Sequence, residues 1–197
     1  MQYNPRYCQS QSPMDCIWNN NNWIYAWNPY YYSYNNIAWD YNRNPYCENI
    51  RITDYGARPF VLNINQSTKQ NNTYRTAIWT GKNLQVTLMS INVGDDIGLE
   101  VHPTTDQFIR IEEGQGLVQM GDNKDKLDFQ EMVYDDYAIM IPAGTWHNVT
   151  NTGNIPLKLY SIYAPPNHPF GTVHVTKAEA LAMEESYSYS NKNTVSY

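Results

Sequence analysis

Four side chains in the second half of this sequence have the types and spacing to hold a metal ion. Glu100-Val101-His102 supplies a carboxylate and an imidazole. Gln107 adds an amide oxygen, and His147 adds a second imidazole just past the turn Pro142-Ala143-Gly144. Two nitrogens and two oxygens form a hard-to-borderline donor set. Such a set suits one divalent transition metal (Mn, Fe, Co, Ni or Zn) and suits copper(I) least. Four protein ligands leave open positions on the ion, as Lewis-acid chemistry requires. Taken singly, each residue reads more readily as a satisfied polar side chain on a strand than as a ligand. The arrangement depends on the elements that carry them.

Those elements read as short strands. In a strand, residues two apart share a face, so Glu100 and His102 are expected to project together from a strand over Ile97–His102. Pro103-Thr104-Thr105-Asp106 breaks the chain, and Gln107 opens the returning strand. His147 belongs to a separate hairpin, which only a closed sheet brings alongside. Further strands are expected at Arg75–Trp79, Leu84–Val93, Gln107–Glu112, Leu117–Met120, Met132–Tyr134, Ala138–Ile141, His147–Asn151 and Leu157–Ala164. They are rich in β-branched and aromatic residues. Gly/Asn/Asp-rich turns at intervals of about ten residues separate them, the pattern of a sandwich or barrel. One helix is expected, Lys177–Ser186, with Thr176 as N-cap and Glu179 completing a capping box.

The chain has 197 residues, enough for one domain with a core plus extensions. Its formal net charge is −6, with no Lys/Arg cluster, which argues against a nucleic-acid partner. No apolar run approaches the roughly 18 residues of a membrane span. No basic start leads into an apolar stretch, so a cytoplasmic location is expected. Cys8, Cys16 and Cys47 are odd in number and remote from the ligand candidates, which reads as free thiols, with intermolecular cross-linking as the alternative. Residues 1–49 differ from the rest: Asn19-Asn20-Asn21-Asn22, Tyr30-Tyr31-Tyr32 and four of the six tryptophans lie there. Such an Asn/Tyr/Trp-rich arm lacks the aliphatic residues for its own core. It reads as an irregular tail or as an assembly segment that orders against a partner. Residues 50–175 read as the globular barrel and 176–197 as a helix with a polar-aromatic tail containing Tyr187, Tyr189 and Tyr197. Trp146 and Tyr160, or Tyr163, are candidates to wall a substrate pocket, or plain core aromatics. His168 and His174 fall in a Pro/Gly-rich loop over the barrel, as a lid or as surface histidines.

The spacing of the ligand candidates resembles the cupin superfamily. That family's first motif runs glycine, five residues, His-x-His, three or four residues, glutamate, six residues, glycine. Here Gly94, Glu100-Val101-His102, Gln107 and Gly114 keep the spacing, with Glu100 replacing the first histidine and Gln107 the glutamate. In the second motif Asp136 stands for the first glycine, and Pro142, Gly144, His147 and Asn151 fit. The resemblance covers about residues 83–163. It implies an all-β fold, a small double-stranded β-helix (jelly-roll) barrel, with a metal on Glu100, His102, Gln107 and His147. The segment is similar to single-domain bacterial cupins of the mannose-6-phosphate isomerase-like kind. That implies a metal-dependent isomerase, or else a dioxygenase, acting on a small oxygen-rich substrate such as a sugar or sugar phosphate, and a homodimer formed through the outer sheet. The arm is similar to low-complexity segments of bacterial spore-coat or exosporium proteins, which implies a structural, self-assembling alternative.

Overall fold

The computed structural model describes residues 50–183 together with two strands of the arm. The chain divides into two units, Met1–Cys47 and Glu48–Tyr197. In the first, β1 (Met14–Asn19) and β2 (Asn22–Trp27) form an antiparallel hairpin in which Met14 faces Trp27 and Asn19 faces Asn22. Part of the segment expected to be irregular is therefore paired strand. Cys8, Cys47, the remainder of the arm and the tail tyrosines lie outside the described residues.

The second unit carries α1 (Ile64–Gln70), β3 (Arg75–Thr80), β4 (Gln85–Ile91), β5 (Asp106–Glu113), β6 (Gln115–Gly121), β7 (Phe129–Tyr134), β8 (Ala138–Ile141), β9 (Trp146–Asn151), β10 (Leu157–Ala164) and β11 (Val173–His174). One antiparallel sheet has the order β11-β3-β4-β10-β5-β8, and a second has the order β7-β6-β9. Alternate residues turn inward, as a half-buried strand requires. Ile109 and Ile111 of β5, Val118 of β6, Val149 of β9 and Leu157 and Leu159 of β10 are all buried in one core. This is the double-stranded β-helix expected from the sequence.

Two elements depart from expectation. Residues 97–102 do not form a strand. They meet β9 of the second sheet through Ile97 N, which donates to Val149 O at 3.1 Å, and through one isolated bridge, Glu100 with His147, just after the bridge of Asp96 with Thr150. Gly98 is the cause: its φ of +87° lies outside strand geometry, and its N–H bonds back to Asp96 Oδ1 at 2.6 Å. The helix α1 was not expected at all. Its sequence, INQSTKQ, has one large apolar residue and hence no helical stripe. It is held by local polar bonds. Asn63 Oδ1 caps it by accepting from Gln66 N at 3.0 Å, and Ser67 and Thr68 bond back to the carbonyls of Asn63 and Ile64.

Residues 177–183 are helical (α2), and 184–186 of the expected helix lie outside the described residues. Thr176 Oγ1 accepts from Glu179 N at 3.3 Å, while Glu179 Oε2 accepts from Val175 N at 2.7 Å. The reciprocal cap thus forms one residue wider than expected. Lys177 Nζ donates to Asp95 and Asp96 at 2.7 and 2.6 Å, tying α2 to the turn after β4.

Candidate metal centre

The site is assembled by backbone contacts from distant parts of the chain. Glu100 N donates to His147 O at 3.0 Å, and His147 N donates to Glu100 O at 2.9 Å. This two-way bridge, not strand alternation, sets Glu100 beside His147. The turn Pro142–Thr145 closes with Thr145 N on Pro142 O at 3.1 Å. Gly144 takes φ +82° at its third position, the conformation that favours glycine in a type II turn. Gly144 N then donates to His102 O at 2.8 Å, drawing the His102 backbone to the same place. Gln107 opens the inward face of β5, in register with Tyr163 of β10 and Ile141 of β8.

The side chains converge. Glu100 Oε1 lies 3.3 Å from His102 Nε2 and 3.3 Å from His147 Nε2. Gln107 Oε1 lies 2.9 Å from His147 Nε2. Ligand atoms of Glu100, His102 and His147 all fall within 4.8 Å of one another, a group able to hold a divalent metal. His147 and Gln107 are buried, and His102 is 8 % exposed.

Three features of the donor atoms test the fit to a cation. Glu100 Oε1 and His102 Nε2 are enclosed and have no hydrogen-bond partner, and burying such atoms unpartnered is costly. The ring of His147 meets oxygen acceptors on both sides: Thr145 O at 2.9 Å from Nδ1, and Gln107 Oε1 at Nε2. A neutral imidazole has a single N–H, so with Nδ1 donating to Thr145 O the Nε2 lone pair faces the oxygens of Gln107 and Glu100, an arrangement that a cation would bridge. The Nδ1–H bond to a carbonyl is the usual support of a ligating histidine. Gln107 Nε2 donates to Ser161 Oγ at 3.4 Å, which turns the amide oxygen toward His147.

Arg75 stands behind this group. Its side chain is buried, with Nη2 at 3.8 Å from Glu100 Oε2. Burial pushes the Glu100 carboxyl up, but the imidazoles of His102 and His147 close to its oxygen and the charge of Arg75 outweigh it. The carboxyl is held well below the usual carboxylate range, ionised and ready to ligate. Nothing in the sequence assigned Arg75 a role. The available signal was a charge opening an otherwise uncharged strand.

In front of the group lies a cavity of about 870 Å³, lined by Glu100, His102, His168, Phe170, His174 and Met183 among others. The loop residue His168 is half-buried, and His174 is buried. Neither is the surface histidine that a loop suggests. Tyr163 is the aromatic beside the site, its ring edge-on to His102 at 5.6 Å and to His168 at 5.1 Å. Burial pushes its hydroxyl up to about 12. Trp146 and Tyr160 are not brought to the cavity. Each is offset by an odd number of residues from an inward neighbour, His147 on β9 and Tyr163 on β10, and so occupies the opposite face. Tyr160 packs instead near Phe108, at 6.2 Å between ring centroids.

Two motif positions have structural roles. Asn151 is buried, donates to Ile91 O and Ile155 O at 2.9 Å each, and accepts from Gly153 N at 2.9 Å. It clamps the turn after β9. Asp136 adopts φ +68°, the left-handed conformation a glycine would take there, and its carboxylate pairs with Arg110.

Residues 87–163 match the Cupin domain family model. The uncharacterized protein YrkC of Bacillus subtilis is 70 % identical over 137 residues, covering 70 % of this chain and 74 % of that protein. The uncharacterized protein L612 of Acanthamoeba polyphaga mimivirus is 40 % identical over 122 residues, covering 61 % and 74 % respectively. Among solved structures, BH2720 from Bacillus halodurans is 71 % identical, with a TM-score of 0.66 over 66 % of this chain and 99 % of that one. With the barrel and the His/Glu group already described, the chain belongs to the cupin superfamily. No described helix is long and apolar enough to cross a membrane.

Proposed function

We propose that this protein binds one divalent transition metal through Glu100, His102, Gln107 and His147 and acts as an enzyme on a small oxygen-rich substrate. The observation that carries the reading is the enclosed convergence of Glu100 Oε1, His102 Nε2 and His147 Nε2. Gln107 Oε1 joins them as the fourth donor. The donor set admits Mn, Fe, Co, Ni or Zn. When bound, the metal supplies Lewis acidity to polarise a carbonyl or hydroxyl oxygen. The chain's own residues do the rest. Arg75 keeps Glu100 ionised, Thr145 O and Ser161 orient His147 and Gln107, and the loop carrying His168 limits access of water. Aldose–ketose isomerisation is the leading reaction, ahead of oxygen-dependent cleavage. Elemental analysis of purified protein should find one metal per chain, lost when all four positions are changed to alanine. Unchanged metal content in that variant would rule the assignment out. Isomerase activity that rises with metal occupancy would support the reaction, and an active metal-free protein would exclude it.

The hairpin β1–β2 favours a second reading that is compatible with the first. Six paired positions per strand, including Trp18 opposite Trp23, give the arm a strand unit suited to association with other copies. The arm then serves assembly, as a spore-coat or exosporium component would use it, alongside or beyond a homodimer of the barrel. Deleting residues 1–49 should lower the oligomeric state seen by light scattering. An unchanged state would remove the assembly role.

A further inference from the structure

The cavity in front of Glu100 and His102 has two walls, and the metal reading uses only one. We propose that the second wall, residues 167–174, recognises the ligand, and that the ligand is a small organic anion, an oxygen-rich carboxylate. The proposal rests on the metal reading and adds the charge of what binds there.

The charge of the site favours an anion. Glu100 is the one acidic residue lining the cavity among the described residues, and the metal would use it. Gln107, where a second carboxylate would fit sterically, is neutral. Arg75 is buried directly behind Glu100. A divalent cation with one carboxylate and one guanidinium leaves roughly two positive charges in a poorly solvated space, a state that an anionic ligand relieves. A neutral polyol does not relieve it.

The second wall also offers groups that could bind such a ligand. His168 and His174 are its imidazoles, and they line the same cavity as His102. His168 Nε2 is enclosed and has no hydrogen-bond partner. Burial pushes His168 down to about 3, so the ring is neutral in ordinary buffers and offers one N–H donor. His174 is held on β11 as the cross-strand partner of Arg75, which brings it to the same charge. The remaining lining includes Pro166, Phe170 and Val173. Apolar walls with a few convergent polar groups are typical of small-molecule sites, and the volume falls within their range.

The wall is also prearranged. Gln85, fully buried, accepts from His168 N at 2.9 Å and Asn167 N at 3.3 Å and donates to His168 O at 2.9 Å. Asp54 Oδ2 accepts from Gly171 N at 3.0 Å. A surface loop with no binding task needs no such fastening, whereas a recognition wall gains affinity from it.

The test uses the full chain loaded with Co²⁺, read by its visible absorption, and titrated with malonate, inorganic phosphate and glucose. Malonate should shift the cobalt band and bind at least about tenfold tighter than glucose. His168→Phe and His174→Gln should each weaken malonate about tenfold with cobalt content unchanged. Gln107→Glu, which alters no packing volume to speak of, should weaken malonate similarly while cobalt is retained. Glucose binding as tightly as malonate would overturn the proposal, as would unchanged malonate affinity in Gln107→Glu and His168→Phe. Phosphate binding more tightly than malonate would overturn the carboxylate assignment. Failure of cobalt to bind at all removes the metal reading and this inference together. Cobalt uptake with a flat malonate titration removes this inference alone.

Discussion

The two walls of the cavity are held by different means. On the metal side, Glu100, His102 and His147 are joined backbone to backbone, through the Glu100–His147 bridge and the Gly144 N–His102 O bond. On the opposite side, residues 167–171 are held mainly by side chains reaching from elsewhere, Gln85 and Asp54. Backbone bridges survive side-chain substitution, so the metal side can change its donors without losing its shape. Residues 167–171 depend on single side chains, and one substitution should loosen them, whereas Val173 and His174 are paired with β3. The candidate donors thus sit on a frame set by backbone bonds, while residues 167–171 are fixed by side chains that sequence can change.

The largest expected effect comes from the metal side. His147→Ala should lower metal affinity by at least about a hundredfold, the upper end of what loss of an outer partner causes. Calorimetric titration with Zn²⁺ measures it. The fold should remain, because the backbone bridge needs no imidazole, and a circular dichroism spectrum matching wild type checks that.

Gln85→Ala is the corresponding change at the opposite wall. It leaves Asn167 N, His168 N and His168 O without their buried partner, at a cost of about 2–3 kcal/mol. Hydrogen exchange at residues 167 and 168 should rise sharply while zinc affinity stays within about twofold. A large fall in zinc affinity would show that the two walls are coupled rather than independent.

Acidification should separate them further. Burial holds His168 below its ordinary value of 6.5, at about 3. The open loop therefore takes up a proton that the closed loop refuses. The contribution of His168 to closure is fully present above pH 6.5 and is lost as pH falls from there toward 3. Exchange at residues 167 and 168, corrected for its intrinsic rate, should be on the order of tenfold faster at pH 5 than at pH 7. His168→Gln should abolish most of that dependence. A wild-type loop with the same protection at both pH values would contradict the assignment.

The smallest effect lies outside the cavity, at Asp136. Replacement by alanine at φ +68° should cost about 1 kcal/mol in urea unfolding. Replacement by glycine relieves the backbone, loses the exposed pair with Arg110, and should stay within about 0.5 kcal/mol of wild type.

The legible part of this protein was local. Most strands were readable because alternation and turn residues repeat over short windows, and Pro142, Gly144 and His147 specify a turn and the start of β9 together. The Thr176–Glu179 cap was readable for the same reason. Residues 97–102 were misread because their composition suits a strand, while Gly98 imposes a backbone that composition does not reveal. The helix α1 has no apolar period and is held by capping and by Gln70, whose side chain bonds the backbone of Ile50 in both directions. Such bonds leave little pattern in sequence.

By itself the sequence determined the candidate donors and their order along the chain, since side-chain type and turn chemistry are properties of individual residues and their near neighbours. Only the tertiary structure decided that Arg75 stands behind Glu100, that Tyr163 rather than Trp146 or Tyr160 borders the site, and that His168 and His174 face the cavity. Those placements arise from register between strands far apart in sequence, and from long-range side-chain bonds such as those of Gln85. Neither has a signature in any short stretch of residues.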